Sequence, residues 1–557
     1  MAMGLSGQRT RRLLVALAVI ALAGGASTAL DANAATTAPT TALATAAAAT
    51  SASMANSIVP EPAVVQPSSA KYQLTSSTMI FTQAGSADAA AVGTQLATLL
   101  RPSTGLALTT ASSAARPQTG NTGIALLLTT SNPGLGAEGY TLDVTNNSIL
   151  ITAAQPAGLF YGVQTLRQLL PAKADAKTTQ QGVTWSVPGG HISDTPRFPY
   201  RGAMLDVSRH FFGVPIVERL IDEISAYKVN YLHLHLSDDQ GWRIVIDKWP
   251  NLAIHGGSTE VGGGAGGYYT EAQYEQIVAY AKAHFVTIVP EIDGPGHTNA
   301  ALSSYAQLNC NGVAPPLYTG TDVGFSTLCV NSAVTYQFEQ DVLNELAALT
   351  PGPFLHIGGD EAQSTTATDY ATFEDKDLAL VAATGKRAIG WHDVTQVNPP
   401  TSFVAQFWGT TTTDPTVAAA AARGNKVIMS PAVKAYLDMK YTEATKLGQD
   451  WAALIEVKDA YNWDPGNYLQ GVTGNSVLGV EGPIWSETLL NMANIEYLAF
   501  PRLPALAELG WSPESTHNWN SFSVRLGNQG PRWTVEGINF YASPQVPWAP
   551  GTVGGVD

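Results

Sequence analysis

The chain has 557 residues, more than one typical globular domain, so we expect a large domain with one or two smaller companions. It holds 29 Lys and Arg residues against 44 Asp and Glu residues, which gives a formal net charge of −15 at pH 7. This balance disfavours nucleic acid and anionic membrane surfaces as partners, because both are themselves negatively charged. A neutral ligand such as a sugar suits the charge better.

The N-terminus has the pattern of an export signal. Arg9, Arg11 and Arg12 precede the apolar run 13–23, and the small-x-small sequence at 32–34 offers a cleavage site. We therefore expect a signal peptide at residues 1–34 and a secreted mature protein, with both the general and the twin-arginine export route open. No later run reaches the length of about 18 apolar residues that a membrane span needs, so no membrane partner is expected for the mature form.

Residues 35–195 predict a linker followed by a small domain. Residues 35–58 are rich in Ala, Thr and Ser and have few large apolar side chains, so they cannot offset the entropy of ordering and are predicted to be disordered. Residues 59–195 predict an α+β domain in which nothing looks catalytic. Its clearest elements are strands at 124–129, 139–144 and 148–153, the turn Asn146-Asn147, and a helix at 158–170.

Residues 196–545 alternate short apolar runs with amphipathic helical stretches, which is typical of βα units around a parallel sheet. Eight candidate strands are present, at 200–206, 231–236, 286–290, 354–357, 387–391, 403–408, 426–429 and 476–480. The clearest helices are at 215–227, 271–284 and 333–349. Eight strands close the common (β/α)8 barrel, so we predict a TIM barrel whose active site lies at the carboxyl ends of the strands.

Each predicted strand is followed by polar or aromatic side chains of the kind that bind sugars. In chain order they are Arg209, Asp238 with Asp239, Asp293 with His297, Asp360 with Glu361, Trp391, Trp408, Tyr436 with Asp438, and Trp485 with Glu487. Taken singly, a tryptophan in an apolar run is more often a core residue, and an Asp after a strand is more often a helix cap. Eight concordant strand ends favour a sugar site, in which a carboxylic acid protonates the leaving oxygen.

The segment His-Ile-Gly-Gly-Asp-Glu-Ala at 356–362 is the most specific of these signals. Two adjacent carboxylates after a buried strand repel each other, which raises the pKa of one of them. A capped loop with no chemistry is the alternative interpretation. A raised pKa is what a general acid needs near neutral pH, so Asp360 and Glu361 are the predicted catalytic pair.

Five segments of the chain resemble glycoside hydrolase family 20, the β-N-acetylhexosaminidases, and most closely the bacterial secreted members. They are residues 201–211, 233–243, 290–297, the Asp360-Glu361 segment and residues 481–487. The resemblance extends from residue 59 to the end, and residues 59–195 resemble the non-catalytic domain that precedes the barrel in this family. Gly294 and Gly482 depart from the family pattern, where we expect Met and Ala, and this puts substrate fit in doubt.

The resemblance implies a role for each site residue. Glu361 would be the general acid and base, Asp360 would orient and stabilise the substrate's 2-acetamido group, and Tyr436 would donate a hydrogen bond to the acetamido oxygen. Asp238 and His297 would support the acid. The expected substrate-binding residues are Trp391, Trp408 and Trp485 around the acetamido group and the sugar ring, and Arg209, Asp438 and Glu487 on the hydroxyls.

The implied activity is removal of terminal N-acetylglucosamine or N-acetylgalactosamine from β-linked oligosaccharides or glycoconjugates, such as chitooligosaccharides. Adjacent carboxylates do not easily flank one anomeric carbon, and this family is an established exception in which the acetamido oxygen attacks instead, with retention. Two alternatives remain open, a secreted carbohydrate-binding protein on an inactive barrel and a hydrolase of glucosides that lack the acetamido group. The acid pair disfavours the first, and the three tryptophans disfavour the second.

No cofactor or metal is predicted. A metal site made by His233, His235 and Asp238 is the weaker interpretation, because alternate residues of a strand share one face and these histidines are expected to pack inside the barrel. The two cysteines, Cys310 and Cys329, favour one disulfide in an exported protein, with two buried thiols as the alternative. The sequence gives neither the oligomeric state nor the preferred sugar.

Overall fold

The computed structural model describes residues 54–113 and 123–557, so the predicted signal peptide and residues 35–53 of the predicted linker lie outside the described residues. The last residues of that linker belong to the folded protein. Met54–Asn56 form a 3-10 helix, and the side chains of Met54 and Ile58 are buried in the core of the first domain. Their large apolar side chains supply the burial that the preceding Ala and Thr residues lack.

The first domain is a seven-stranded mixed sheet with two helices, as predicted for an α+β unit. Its strands are β1 (Val64–Gln73), β2 (Met79–Gln83), β3 (Thr110–Ser113), β4 (Gly123–Leu128), β5 (Tyr140–Val144), β6 (Ser148–Ala153) and β7 (Ser186–Asp194), in the order β1-β7-β5-β6-β4-β2-β3. The helices are α1 (Ala87–Thr104) and α2 (Pro156–Leu169). Asn146-Asn147 joins the antiparallel strands β5 and β6, as predicted.

The second domain is a closed barrel of eight parallel strands, which confirms the predicted TIM barrel. The strands are β8 (Tyr200–Asp206), β9 (Tyr231–His235), β10 (Thr287–Glu291), β11 (Phe354–His356), β12 (Arg387–Trp391), β13 (Val404–Phe407), β14 (Lys426–Met429) and β15 (Val477–Ile484). They pair in chain order, and β15 closes on β8. All eight predicted strands are present, and β15 extends four residues further than predicted.

Helices surround the barrel. They are α3 (Val214–Ser225), α4 (Glu271–Ala283), α5 (Asn299–Ser304), α6 (Ala333–Leu349), α7 (Ala367–Ala383), α8 (Pro415–Arg423), α9 (Ala432–Ala435), α10 (Val457–Tyr461), α11 (Met492–Ala499), α12 (Arg502–Trp511), α13 (Trp519–Gly527) and α14 (Gly530–Glu536). Side-chain hydrogen bonds cap the amino ends of several of these helices. Thr270 and Gln273 form a capping box on α4, and Ser332 caps α6. None of the described helices combines the length and apolarity needed to cross a membrane.

The barrel interior changes character along its axis. Near the amino ends of the strands it is filled by apolar and aromatic side chains, namely Tyr200, Val289, Phe354, Ile389, Val404 and Ile428. Nearer the carboxyl ends the inward side chains are polar and fully buried, including His233, His235, Glu291, His356, Gln406 and Glu481. Barrel interiors are normally packed with branched aliphatic residues, so this polar layer under the carboxyl ends requires a separate explanation.

Candidate active site

Two glycines shape the loop that carries the predicted catalytic pair. Gly358 and Gly359 follow β11 with φ angles of 65° and 96°, a region that favours glycine. A Cβ on Gly358 would lie 1.7 Å from Oδ1 of Asp293, and the backbone N–H of Gly359 donates to that same oxygen over 3.0 Å. The loop therefore turns tightly against the segment that follows β10 and places Asp360 and Glu361 at the mouth of the barrel.

Asp360 and Glu361 occupy different environments although they are adjacent. The Asp360 side chain is 11% exposed and that of Glu361 is 30% exposed. Burial, aided by the charge of Glu361 and opposed by His297, raises the pKa of Asp360 to about 7. Burial, more than the charge of the neighbouring carboxylate, thus raises the pKa of Asp360, the more deeply buried of the two.

His297 connects the catalytic pair to Asp238. Its Nε2 atom lies 3.4 Å from Oε2 of Glu361 and 3.9 Å from Oδ2 of Asp360, and its Nδ1 atom lies 3.2 Å from Oδ1 of Asp238. Burial disfavours a charged imidazole, but Asp238 and Asp360 outweigh it and hold the pKa of His297 well above its usual value. A charged His297 therefore stands between three carboxylates.

Arg209 holds the other side of Asp238. Its Nη2 atom lies 2.8 Å from Oδ2 of Asp238, and its guanidinium lies 4.8 Å from the ring centroid of Trp485. Burial alone would raise the pKa of Asp238, but Arg209 and His297 hold it well below its usual range. The predicted residues after the four strands β8 to β11 therefore form one connected ionic group.

Four aromatic side chains form the wall beside the catalytic pair. Trp391, Tyr436 and Trp485 belong to one buried cluster, in which the Trp391 and Trp485 centroids are 5.6 Å apart and those of Tyr436 and Trp485 are 6.3 Å apart. Trp408 is only partly buried, and its Nε1 atom donates to Oδ2 of Asp393 over 3.0 Å. This is the arrangement expected of a pocket that receives the apolar face of a sugar and its acetamido methyl group.

The remaining predicted residues, Asp438 and Glu487, lie next to this wall. Burial raises the pKa of both carboxyls; the charge of Glu487 raises that of Asp438 further, whereas Arg209 opposes the rise at Glu487. Within the described residues, the buried polar atoms of the site that have no hydrogen-bond partner include Nε of Arg209, Oδ1 of Asp360, both carboxylate oxygens of Asp438 and Oε2 of Glu487. Buried polar atoms are nearly always paired in folded proteins, so these atoms fit contacts to a polar ligand.

The structure brings together every residue predicted for the site and adds two that the sequence analysis missed. Asp393 orients Trp408, and Trp451 lies half exposed at the mouth with its ring centroid 6.2 Å from that of Trp408 and 6.0 Å from that of Tyr436. Trp451 lies in the long segment after β14 and follows no strand. The pattern of polar and aromatic residues at strand ends therefore does not mark Trp451.

The two departures from the family pattern are accommodated by packing. A Cβ on Gly294 would lie 2.9 Å from the ring of Phe373, which fills the space that a larger residue would take. A Cβ on Gly482 would lie 2.8 Å from Leu506 and 3.0 Å from Leu437. In both cases the nearest atoms are core side chains, so neither glycine leaves a gap next to the catalytic pair.

The two histidines of the metal alternative lie inside the barrel, where the sequence analysis expected them. Both nitrogens of His233 contact carboxylates, Glu291 and Glu481, at 2.9 Å each. His235 contacts Glu291 and lies 2.8 Å from Asp238. Hydrogen bonds to carboxylates therefore account for both rings.

The predicted disulfide is present. Cys310 and Cys329 are bonded and close a loop that packs on the segment carrying His297. Within that loop, Oγ of Ser326 accepts from the Thr298 backbone N–H over 2.9 Å and donates to Asp239 over 2.6 Å. The disulfide loop thus supports the residue next to His297.

Two family models match the chain. One, described as glycosyl hydrolase family 20, catalytic domain, matches residues 198–375 and 365–514, and the other, described as glycosyl hydrolase family 20, domain 2, matches residues 55–195. The chain belongs to glycosyl hydrolase family 20. Its smaller domain and its barrel are the two parts that these models describe.

Named relatives agree with this assignment. The β-N-acetylhexosaminidase of Cellulomonas fimi is 40% identical over 421 residues, which is 75% of this chain and 84% of the relative. The solved GH20 β-N-acetylhexosaminidase of Streptomyces coelicolor A3(2) is 54% identical with a TM-score of 0.86 and covers 89% of this chain and 99% of its own. A mutant Streptomyces plicatus β-hexosaminidase in complex with its product GlcNAc is also 54% identical, with a TM-score of 0.85 and coverage of 89% and 98%. The predicted enzyme class is confirmed: the protein is a glycoside hydrolase of the β-N-acetylhexosaminidase type.

Proposed function

We propose that the enzyme removes terminal, non-reducing N-acetylglucosamine or N-acetylgalactosamine from β-glycosides such as chitooligosaccharides, using the substrate's own acetamido group as nucleophile. The observation that carries the proposal is the placement of the two carboxylates. Asp360 and Glu361 come from one loop, and His297 contacts both on the same side of the site. Retaining enzymes with a protein nucleophile place two carboxyl groups about 5 Å apart on opposite sides of the sugar.

The proposed first step forms a bond within the substrate. The acetamido oxygen attacks the anomeric carbon, the glycosidic bond breaks, and Glu361 gives its proton to the leaving oxygen. Asp360 faces the acetamido nitrogen, where positive charge develops as the oxazolinium ring closes, and Tyr436 donates to the acetamido oxygen. Because Asp360 is buried, its carboxylate acts in a region of low dielectric where such stabilisation is strong.

The second step reverses the roles. Glu361, now a carboxylate, takes a proton from a water molecule, and the water oxygen attacks the anomeric carbon. The bond between the anomeric carbon and the acetamido oxygen breaks, which restores the acetamido group. Two inversions give net retention of the β configuration. The charged His297, held by Asp238, stabilises the Glu361 carboxylate that exists between the two steps.

Recognition of the sugar is proposed to use the polar atoms that lack partners. Arg209, Asp438 and Glu487 would bind ring hydroxyls, and Trp408 and Trp485 would pack against the ring and the acetamido methyl group. The Streptomyces plicatus β-hexosaminidase solved with GlcNAc supports this class of ligand.

One comparison of chromogenic substrates tests the proposed activity. We expect 4-nitrophenyl glycosides of β-N-acetylglucosamine and β-N-acetylgalactosamine to be hydrolysed, and the matching β-glucoside to react slower by several orders of magnitude because it lacks the nucleophile. Comparable hydrolysis of the glucoside would contradict the proposal.

We propose further that the mature protein is secreted. The Arg-rich start followed by an apolar run and the disulfide between Cys310 and Cys329 support this localisation, because disulfides persist in oxidising compartments. Expression in the native host, followed by N-terminal sequencing of enzyme from the medium, tests it. A mature terminus near residue 35 is expected, and enzyme that stays in the cytosol with residues 1–34 attached would contradict it.

A further inference from the structure

Glu291 lies at the centre of the polar layer inside the barrel and is fully buried. It ends β10, and its two carboxylate oxygens contact side chains from β9, β11 and β12. Oε1 accepts from Nε1 of Trp391 over 2.9 Å and lies 2.9 Å from Nδ1 of His356. Oε2 lies 2.9 Å from Nε2 of His233 and closer still to Nδ1 of His235.

Glu291 and two of the histidines that contact it, His233 and His235, carry opposite charges. Burial alone would raise the pKa of Glu291, but its histidine neighbours hold it well below its usual value. Burial would lower the pKa of both histidines, but Glu291 and Asp238 raise that of His235 well above its usual value, and Glu291 and Glu481 raise that of His233 to about 9. Glu291 is therefore an anion between two cations in a region that water does not reach.

Each oxygen of Glu291 leads to a different part of the proposed catalytic machinery. Oε1 anchors Trp391, which lies in the cluster with Tyr436 and Trp485. Oε2 leads through His235 to Asp238, whose other oxygen lies 3.2 Å from His297. His297 is in turn 3.4 Å from Glu361.

We propose that Glu291 is a positioning residue that fixes the acetamido pocket with one oxygen and the general acid with the other. It touches no substrate atom, and this inference rests on the proposed roles of Trp391 and Glu361. Its charge keeps His235 protonated, so that His235 holds Asp238 in the orientation that receives Nδ1 of His297. Asp293, Arg209 and the edge of Trp485 also face His235, and Arg209 lies 3.3 Å from its Nε2 atom.

The variant Glu291→Gln tests the contact with Trp391 and the effect on His235 separately, because its side chain has the same shape but no charge. In Glu291→Gln the amide oxygen can still accept from Trp391, but the amide N–H groups force His233 and His235 to accept at the ring nitrogen that faces residue 291, so that both rings become neutral. We expect KM for the N-acetylglucosaminide to change little, while kcat for poor leaving groups falls by about 10- to 100-fold, the usual cost of a small misplacement. We also expect the kcat–pH profile to gain an ionisation near neutral pH, because His235 has lost the anion that held its proton.

Glu481 provides the matched control. It is equally buried in the barrel and also lies 2.9 Å from His233, but its other contacts are Tyr200 and Gln406, away from the substrate. Glu481→Gln therefore removes a buried carboxylate of the same layer without touching either branch from Glu291. We expect it to alter thermal stability and to leave the leaving-group dependence and the kcat–pH profile of the wild type in place.

His235→Gln keeps the test decisive if Glu291→Gln does not fold. This change interrupts the branch to Glu361 and leaves Oε1 of Glu291 on Trp391, so a larger loss in kcat than in substrate binding is expected. The proposal is wrong if folded Glu291→Gln behaves as Glu481→Gln does, or if His235→Gln retains the wild-type kcat and pH profile. The wild-type ratio of N-acetylglucosaminide to glucoside hydrolysis, measured alongside, tests the proposed function separately, since it does not depend on any of the three variants.

Discussion

The Nε2 atom of His297 lies 3.4 Å from Oε2 of Glu361, and both residues have backbone φ angles in the left-handed region, 55° and 47°. Neither residue is glycine, so each of these conformations costs roughly 1–3 kcal/mol that the surrounding structure must offset. Strain of this kind persists only where the neighbours determine the geometry fully. The contact between the proposed acid and its supporting cation is therefore preorganised.

Replacing the proposed acid tests its role. Glu361→Gln is expected to leave substrate binding largely intact and to lower kcat by roughly 10² to 10⁴ for poor leaving groups, the usual contribution of general acid catalysis. Activated aryl leaving groups need less protonation, so their first step should lose less. Steady-state kinetics over a series of leaving groups measures this, and equal losses across the series would mean that Glu361 is not the proton donor.

Asp360→Asn tests stabilisation of the intermediate. A thiazoline analogue of the cyclic intermediate should bind to the wild type much more tightly than the product does. The variant should bind it at least tenfold more weakly, because a neutral amide no longer stabilises charge on the ring nitrogen in a buried site. Inhibition constants for thiazoline and product measure this; unchanged thiazoline binding in a folded variant would rule out the assigned role.

A buried carboxyl that is not among the proposed substrate-binding residues is expected to determine part of the pH dependence of stability. Asp377 lies on α7 among Glu339 and Glu374, all three are buried, and burial raises the pKa of Asp377 from its ordinary 3.8 to about 7. The folded state therefore keeps the Asp377 proton at pH values where the unfolded chain has lost it. The contribution of this proton to the free energy of unfolding is fully present below about pH 4 and is lost as the pH rises through 7.

Asp377→Asn should remove this dependence. The amide has no proton to lose, so the free energy of unfolding of the variant relative to the wild type should increase between pH 4 and 7, by up to about 4 kcal/mol, and stay constant above that. Urea unfolding at pH 4.5, 6 and 7.5 measures the difference. A difference that does not vary with pH would show that the carboxyl is not protonated in the folded protein.

The disulfide is expected to support both the fold and the catalytic loop. Closing the loop between Cys310 and Cys329 should contribute about 3 kcal/mol in the chain-entropy model. The double replacement Cys310→Ser with Cys329→Ser should lower the unfolding free energy by about that amount, and it should also lower kcat, because Ser326 no longer holds the backbone beside His297. Unchanged stability and kcat would contradict the assignment.

The barrel and its site were largely predictable from the sequence. Buried parallel strands have continuous apolar sequences, and their carboxyl ends lie together on one face of the barrel. Asp360 and Glu361 were evident from two adjacent carboxylates after two glycines. Strand β1 was not predicted, because most of its side chains are exposed and its sequence includes Pro67 and two serines, so no alternating pattern marks it.

Other features depend on contacts that no local pattern encodes. Glu291 appears in the sequence only as part of a motif, and its contacts with three other strands follow from closure of the barrel. The raised pKa of Asp360 depends on how deeply its carboxyl is buried, and that depth is set by the path of the loop around Gly358.

The central claim is that the substrate's acetamido oxygen is the nucleophile, and a series of N-acyl substrates with zero to three fluorines tests it most directly. Each fluorine withdraws electrons and weakens that oxygen as a nucleophile, while the leaving group stays the same. We predict that kcat/KM falls steeply with each fluorine, by several orders of magnitude over the series, with the β anomer appearing first by proton NMR. A rate that is independent of the number of fluorines, or initial release of the α anomer, would contradict the account.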